Sequence, residues 1–159
     1  MDLFDVAISL EQEGAEFYTK LAEKAPTEGF AAIFKMLATD EKKHESYFRA
    51  MKERNALVSV SSSAIDEAKK VFKAFDPDTF SPTEDHIPAY EQALAVEKKS
   101  IDFYKEQLPN VEFEAEKKAL QQVIAEEQKH YAIVEEMLKL VTRPHRWVEN
   151  AEFGVREEY

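Results

Sequence analysis

The sequence contains no cysteine, only three glycines and no long apolar run among its 159 residues. Without cysteine there can be no disulfide, iron–sulfur cluster or CxxC zinc site. So few glycines, set among abundant Glu, Lys, Ala and Leu, disfavour a turn-rich β protein and favour long helices. Positive charge is also short, with 21 Lys and Arg against 32 Asp and Glu and a net charge of -11. That balance argues against nucleic-acid or anionic-membrane partners, which need clustered basic residues, and it gathers cations instead. No stretch reaches the roughly 20 apolar residues that span a bilayer, and the opening MDLFDVAISLEQEG is acidic rather than basic and then apolar. A cytoplasmic address is the expectation.

What is present reads as one all-α domain over residues 1–159, built as a four-helix bundle. Apolar residues at Leu3, Ala7, Leu10, Phe17 and Leu21 recur at helical spacing and predict a first helix over about 3–24, stopped by Pro26. A second is predicted over 28–55, starting near Thr27, with Phe30, Ile33, Phe34, Leu37, Phe48 and Met51 inward. The third spans about 85–108, with Pro88 in its first turn and Pro109 beyond its end. The fourth spans about 111–141, with Asn110 as N-cap and Pro144 past its end. Between the second and third lies a long crossover with a short helical pattern over 64–75. The tail, 144–159, carries Trp147, Phe153 and Tyr159, aromatics that cover the bundle or meet a second copy in a homodimer.

The sequence also repeats itself. AISLEQEGAEFY from Ala7 aligns with ALAVEKKSIDFY from Ala93, an offset of 86 that pairs Glu11 with Glu97 and Tyr18 with Tyr104. Without a gap, the same offset pairs Glu41 with Glu127 and His44 with His130. Each half therefore carries one Glu-x6-Tyr and one Glu-x2-His, a correspondence that chance in a Glu-rich chain does not readily produce. Residues at i and i+3 share a helix face, so Glu41 with His44, and Glu127 with His130, can each converge on one metal. Residues at i and i+7 return to nearly the same azimuth about 10.5 Å further along the axis. Tyr18 and Tyr104 thus point to the same interior as Glu11 and Glu97. Pseudo-twofold symmetry then lets Tyr18 donate to Glu97, and Tyr104 to Glu11. Four carboxylates with two neutral imidazoles carry a charge that two divalent cations would cancel; left bare in a core they would repel one another.

A Glu on each of two helices and Glu-x2-His on each of the other two is the ligand set of ferritin-like di-iron proteins. The Glu-x6-Tyr elements and the layout most closely resemble the rubrerythrin branch. The resemblance implies a ferritin-like bundle with a long crossover between its second and third helices. It also implies that Glu11, Glu41, His44, Glu97, Glu127 and His130 are metal ligands and that Tyr18 and Tyr104 support them. The implied cofactor is two iron ions, with manganese or zinc as other occupants. The implied activity is reduction of hydrogen peroxide or oxygen. Because this sequence has no cysteine, electrons would come from an external donor such as a rubredoxin-type protein. Ferroxidase chemistry, or metal binding and oxygen sensing without turnover, uses the same ligands.

The sequence departs from that family at Ser100, where rubrerythrins usually carry a further Glu associated with peroxidase chemistry. Gly14 is its counterpart in the first half, and the two small residues are expected to leave room for oxygen, peroxide or water. Asp40, Glu45 and Glu126 neighbour the ligand positions but are expected on solvated faces, with one of them free to orient a histidine. His86 and His145 are expected as surface or capping residues, and Trp147 as packing.

Overall fold

The structure, a computed structural model, describes residues 2–53 and 86–153, with side chains described up to Thr142. Four α-helices and one short 3-10 turn make up its regular structure, with no strand among the described residues. They are α1 (Leu3–Glu23), α2 (Glu28–Lys52), α3 (His86–Gln107) and α4 (Glu114–Phe153), with the 3-10 turn (Leu108–Asn110) between α3 and α4. The fold is an all-α, ferritin-like four-helix bundle made of two helical hairpins, α1 on α2 and α3 on α4. The crossover, including the helix expected over 64–75, lies outside the described residues.

Local chemistry sets several of the ends. Asp2 caps α1 by accepting from the Asp5 amide at 2.9 Å, and Thr27 caps α2 by accepting from the Phe30 amide at 3.0 Å. Pro26 lies in the short link between them, where no helix hydrogen bond is needed. The start of α4 differs from the sequence expectation. Leu108, Pro109 and Asn110 form the 3-10 turn, and the helix begins at Glu114, so Asn110 is not its cap. Its far end differs too, running through Pro144 to Phe153 instead of stopping near Val141. Proline there withholds the N–H that Leu140 O would accept and crowds that same carbonyl, a local cost of about 3 kcal/mol that the 40-residue helix carries. The residues expected as an aromatic tail thus begin as helix; their side chains, with His145 and Trp147, lie outside the description.

Two apolar clusters fill the bundle, and the polar site separates them. One gathers Phe30, Ile33, Phe34 and Leu37 of α2 with Val134 and Met137 of α4 and Tyr90 and Ala93 of α3. The other gathers Phe48 and Met51 of α2 with Leu120 and Val123 of α4 and Ala7 of α1. Along both α2 and α4, apolar inward positions give way to a charged stretch, Asp40–His44 and Glu126–His130, and then resume. Burying six ionisable side chains between two dry layers is costly unless something compensates their charge.

A candidate two-metal centre

All six expected ligand residues face this central layer and are almost wholly buried. Glu11, Glu41, Glu97 and Glu127 are at most 3 % exposed, and His44 and His130 are at 0 %. Each helix supplies its share: Glu11 from α1, Glu41 and His44 from α2, Glu97 from α3, and Glu127 and His130 from α4. His44 Nδ1 stands 2.8 Å from Glu127 Oε1 and 3.5 Å from Glu11 Oε2. His130 Nδ1 stands 3.1 Å from Glu41 Oε1 and 3.7 Å from both Glu97 Oε1 and Glu127 Oε2. The two imidazoles lie nearly parallel, their centroids 5.8 Å apart.

These atoms fall into two overlapping groups of four. Glu11, Glu41, His44 and Glu127 form one, and Glu41, Glu97, Glu127 and His130 the other, with all ligand atoms in a group within 4.8 Å of one another. Glu41 and Glu127 belong to both, the arrangement in which two carboxylates bridge a pair of cations. The hydrogen bonding also fits a cation-binding role. Glu11 Oε2, Glu97 Oε2 and Glu127 Oε2 are buried without a hydrogen-bond partner among the described residues. Such orphaned carboxyl oxygens are rare and expensive in a core, and coordination would satisfy them.

Proton affinities tell the same story. Burial, then repulsion from Glu11, Glu127 and Glu97, lifts Glu41 well above the usual carboxylate range. Burial and then Glu127 raise Glu97 to about 8. Burial alone would lower His44, but the neighbouring Glu11 and Glu127 outweigh it and bring the imidazole to about 10. His130 is likewise raised against burial, by Asp40 and the surrounding glutamates. Glu11 and Glu127 move the other way, because hydrogen bonds from their neighbours outweigh burial. Crowded negative charge thus favours protons on Glu41, Glu97, His44 and His130 wherever no cation takes their place.

The tyrosines join the two halves. Tyr18 of α1 donates its hydroxyl to Glu97 Oε1 of α3 at 2.5 Å, and Tyr104 of α3 donates to Glu11 Oε1 of α1 at 2.8 Å. Burial and then the adjacent carboxylates push both phenols well above their ordinary range, so they remain protonated donors.

Three neighbours differ from expectation. Asp40, expected on a solvated face, is fully buried, and with Oδ2 3.1 Å from His130 Nε2 it is the acidic neighbour that orients a histidine, as the sequence allowed for one of the three. Glu126, also expected in solvent, is only 7 % exposed. The signal was in the sequence: positions 40 and 126 are themselves related by the 86-residue offset and both are acidic. Gly14 leaves no open room, since a β-carbon there would come within 2.9 Å of Glu41 Oε2; that carboxylate takes up the space. Glu45 does lie toward the surface, bonding Gln12 and Arg49, and His86 Nε2 bonds Lys24 O just past the end of α1.

A four-helix bundle with a buried layer of four glutamates and two histidines defines the ferritin-like class of carboxylate-bridged metal proteins. Comparison with protein families narrows this: residues 2–138 match the Rubrerythrin family, and the chain belongs to it. No curated protein and no solved structure matches the chain. No helix among the described residues is long and apolar enough to cross a membrane.

Proposed function

We propose that the chain is a di-iron oxidoreductase that reduces hydrogen peroxide or oxygen with electrons from an external donor. The observation that carries this reading is the pair of four-residue groups sharing Glu41 and Glu127. Glu11 and His44 would hold one ion, Glu97 and His130 the other, and Glu41 and Glu127 would bridge them. Iron suits mixed carboxylate and imidazole donors, with manganese and zinc as competitors. Bound ferrous ions would supply the electrons that reduce the oxidant. The protein's own part is to place the ligands, hold Glu97 and Glu11 through the Tyr18 and Tyr104 hydroxyls, and keep bulk water out with the two apolar layers. The donor is a rubredoxin-type protein, and the working assembly is a homodimer in the cytoplasm.

Metal analysis of the natively expressed protein should give two iron per chain. Anaerobic reduction followed by peroxide and reduced rubredoxin should give steady turnover, while light scattering should report a dimer. Ser100, buried at the site where the family usually has a Glu, favours a second reading as a ferroxidase, with ferrous iron as substrate. Oxidation of many ferrous equivalents per chain without donor-dependent peroxide turnover would establish that alternative.

A further inference from the structure

The two halves of the site are related by the repeat, yet their histidines are not held alike. His130 Nε2 lies 3.1 Å from Asp40 Oδ2, and both residues are 0 % exposed. His44 is equally buried, but its Nε2 has no hydrogen-bond partner among the described residues. The residue that the repeat places in Asp40's role is Glu126, and its Oε1 is also buried without a partner. One additional methylene separates the two acidic side chains. The shorter one meets its imidazole, and the longer one does not.

A histidine whose far nitrogen is bonded to a carboxylate is fixed in rotamer and tautomer, with Nδ1 turned to the metal and made more basic. His130 has that support before any ion arrives. His44 is held only through Nδ1, by Glu127 and Glu11, the glutamates that an ion would also claim, and its Nε2 stays buried without an acceptor.

We propose that the two metal positions are unequal by construction: the Glu97–His130 position is prebuilt and fills first, and the Glu11–His44 position fills second and exchanges faster. Asp40 is the positioning residue that creates the difference. This inference rests on the two-metal reading above, and its test separates the two.

The probe is cobalt(II), titrated calorimetrically into the metal-free 159-residue chain, with visible absorption following each equivalent. Wild type should bind in two steps, the first at least about 10-fold tighter, since outer partners of metal-bound histidines typically contribute 10–100-fold. Asp40→Asn should weaken the first step by about that factor and bring the two affinities together. Glu126→Gln should weaken either step far less than Asp40→Asn weakens the first, since it breaks no bond to a histidine. Circular dichroism checks the fold of each variant. Should Asp40→Asn misfold, the wild-type steps and Glu126→Gln still decide. Absence of cobalt binding would defeat the two-metal reading itself. Two equal wild-type steps, an unchanged first step in Asp40→Asn, or a second step weakened in Glu126→Gln as far as Asp40→Asn weakens the first would each overturn the inequality while leaving two-metal binding intact.

Discussion

A β-carbon at Gly14 would lie 2.9 Å from Glu41 Oε2 and 3.2 Å from its carboxyl carbon. Glycine inside a helix costs roughly 1 kcal/mol relative to alanine, so here the backbone gives up stability for carboxylate space. Gly14→Ala should weaken metal binding, because Glu41 must move from its position beside His130 Nδ1, and the loss of that buried contact offsets the helix gain of the alanine. A metal titration checks this; an affinity equal to wild type would reject it. Tyr18 offers a complementary test. Removing its hydroxyl leaves Glu97 Oε1 without its buried donor, a loss of about 1–3 kcal/mol in a denaturant titration of Tyr18→Phe. The six candidate ligands should still bind metal. The residues of this site were legible because the repeat states each of them twice. Asp40 and Glu126 were harder to read: acidic residues beside a ligand usually face water, and only the geometry buries both and sets Asp40 against an imidazole edge.

At the scale of the helix, the sequence was most readable where a side chain itself ends the element. Thr27 and Pro26 set the α1–α2 junction, and Thr27→Ala should cost about 1 kcal/mol in a chemical melt, since the Phe30 amide loses its acceptor. Where the end depends on competing local geometries, the pattern was less informative. Asn110 has the chemistry of an N-cap, but Pro109 favours a tight 3-10 turn that delays α4 to Glu114. Pro144 has the chemistry of a terminator, yet the helix continues past it despite the lost hydrogen bond and the crowded Leu140 carbonyl. The inward face of α1 was similarly blurred. Leu10 and Phe17, expected inside, are only half-buried, while Ile8, Ala15 and Ala22 are buried. The stripe centres on Glu11, Gly14 and Tyr18, so an apolar count alone misplaces it by part of a turn.

For the whole molecule, the bare site makes folding and pH oppose each other, and metal should reverse the relation. Glu41, Glu97, His44 and His130 all bind protons more tightly in the folded chain than in the unfolded one. Such groups stabilise the fold below their unfolded pKa values, 4.5 for the carboxyls and 6.5 for the imidazoles, and that stability is lost as pH rises through the folded values. For Glu97 and His44 those are about 8 and about 10. Glu11 and Glu127 act oppositely, but only on the acid side of 4.5, where their lowered values lie. The metal-free protein should therefore melt at progressively lower temperature as pH is raised from about 6 to about 9. Two divalent cations supply the same positive charge as the protons on these four groups, so loading should release about four protons into a weakly buffered solution. Metal affinity should then rise with pH over the same window, and the metal-loaded protein should keep its melting temperature where the bare protein loses it. Melting curves with and without manganese at several pH values would check both halves of the argument. A metal-free protein equally stable at pH 6 and 9, or metal binding without proton release, would show that protons do not balance this pocket.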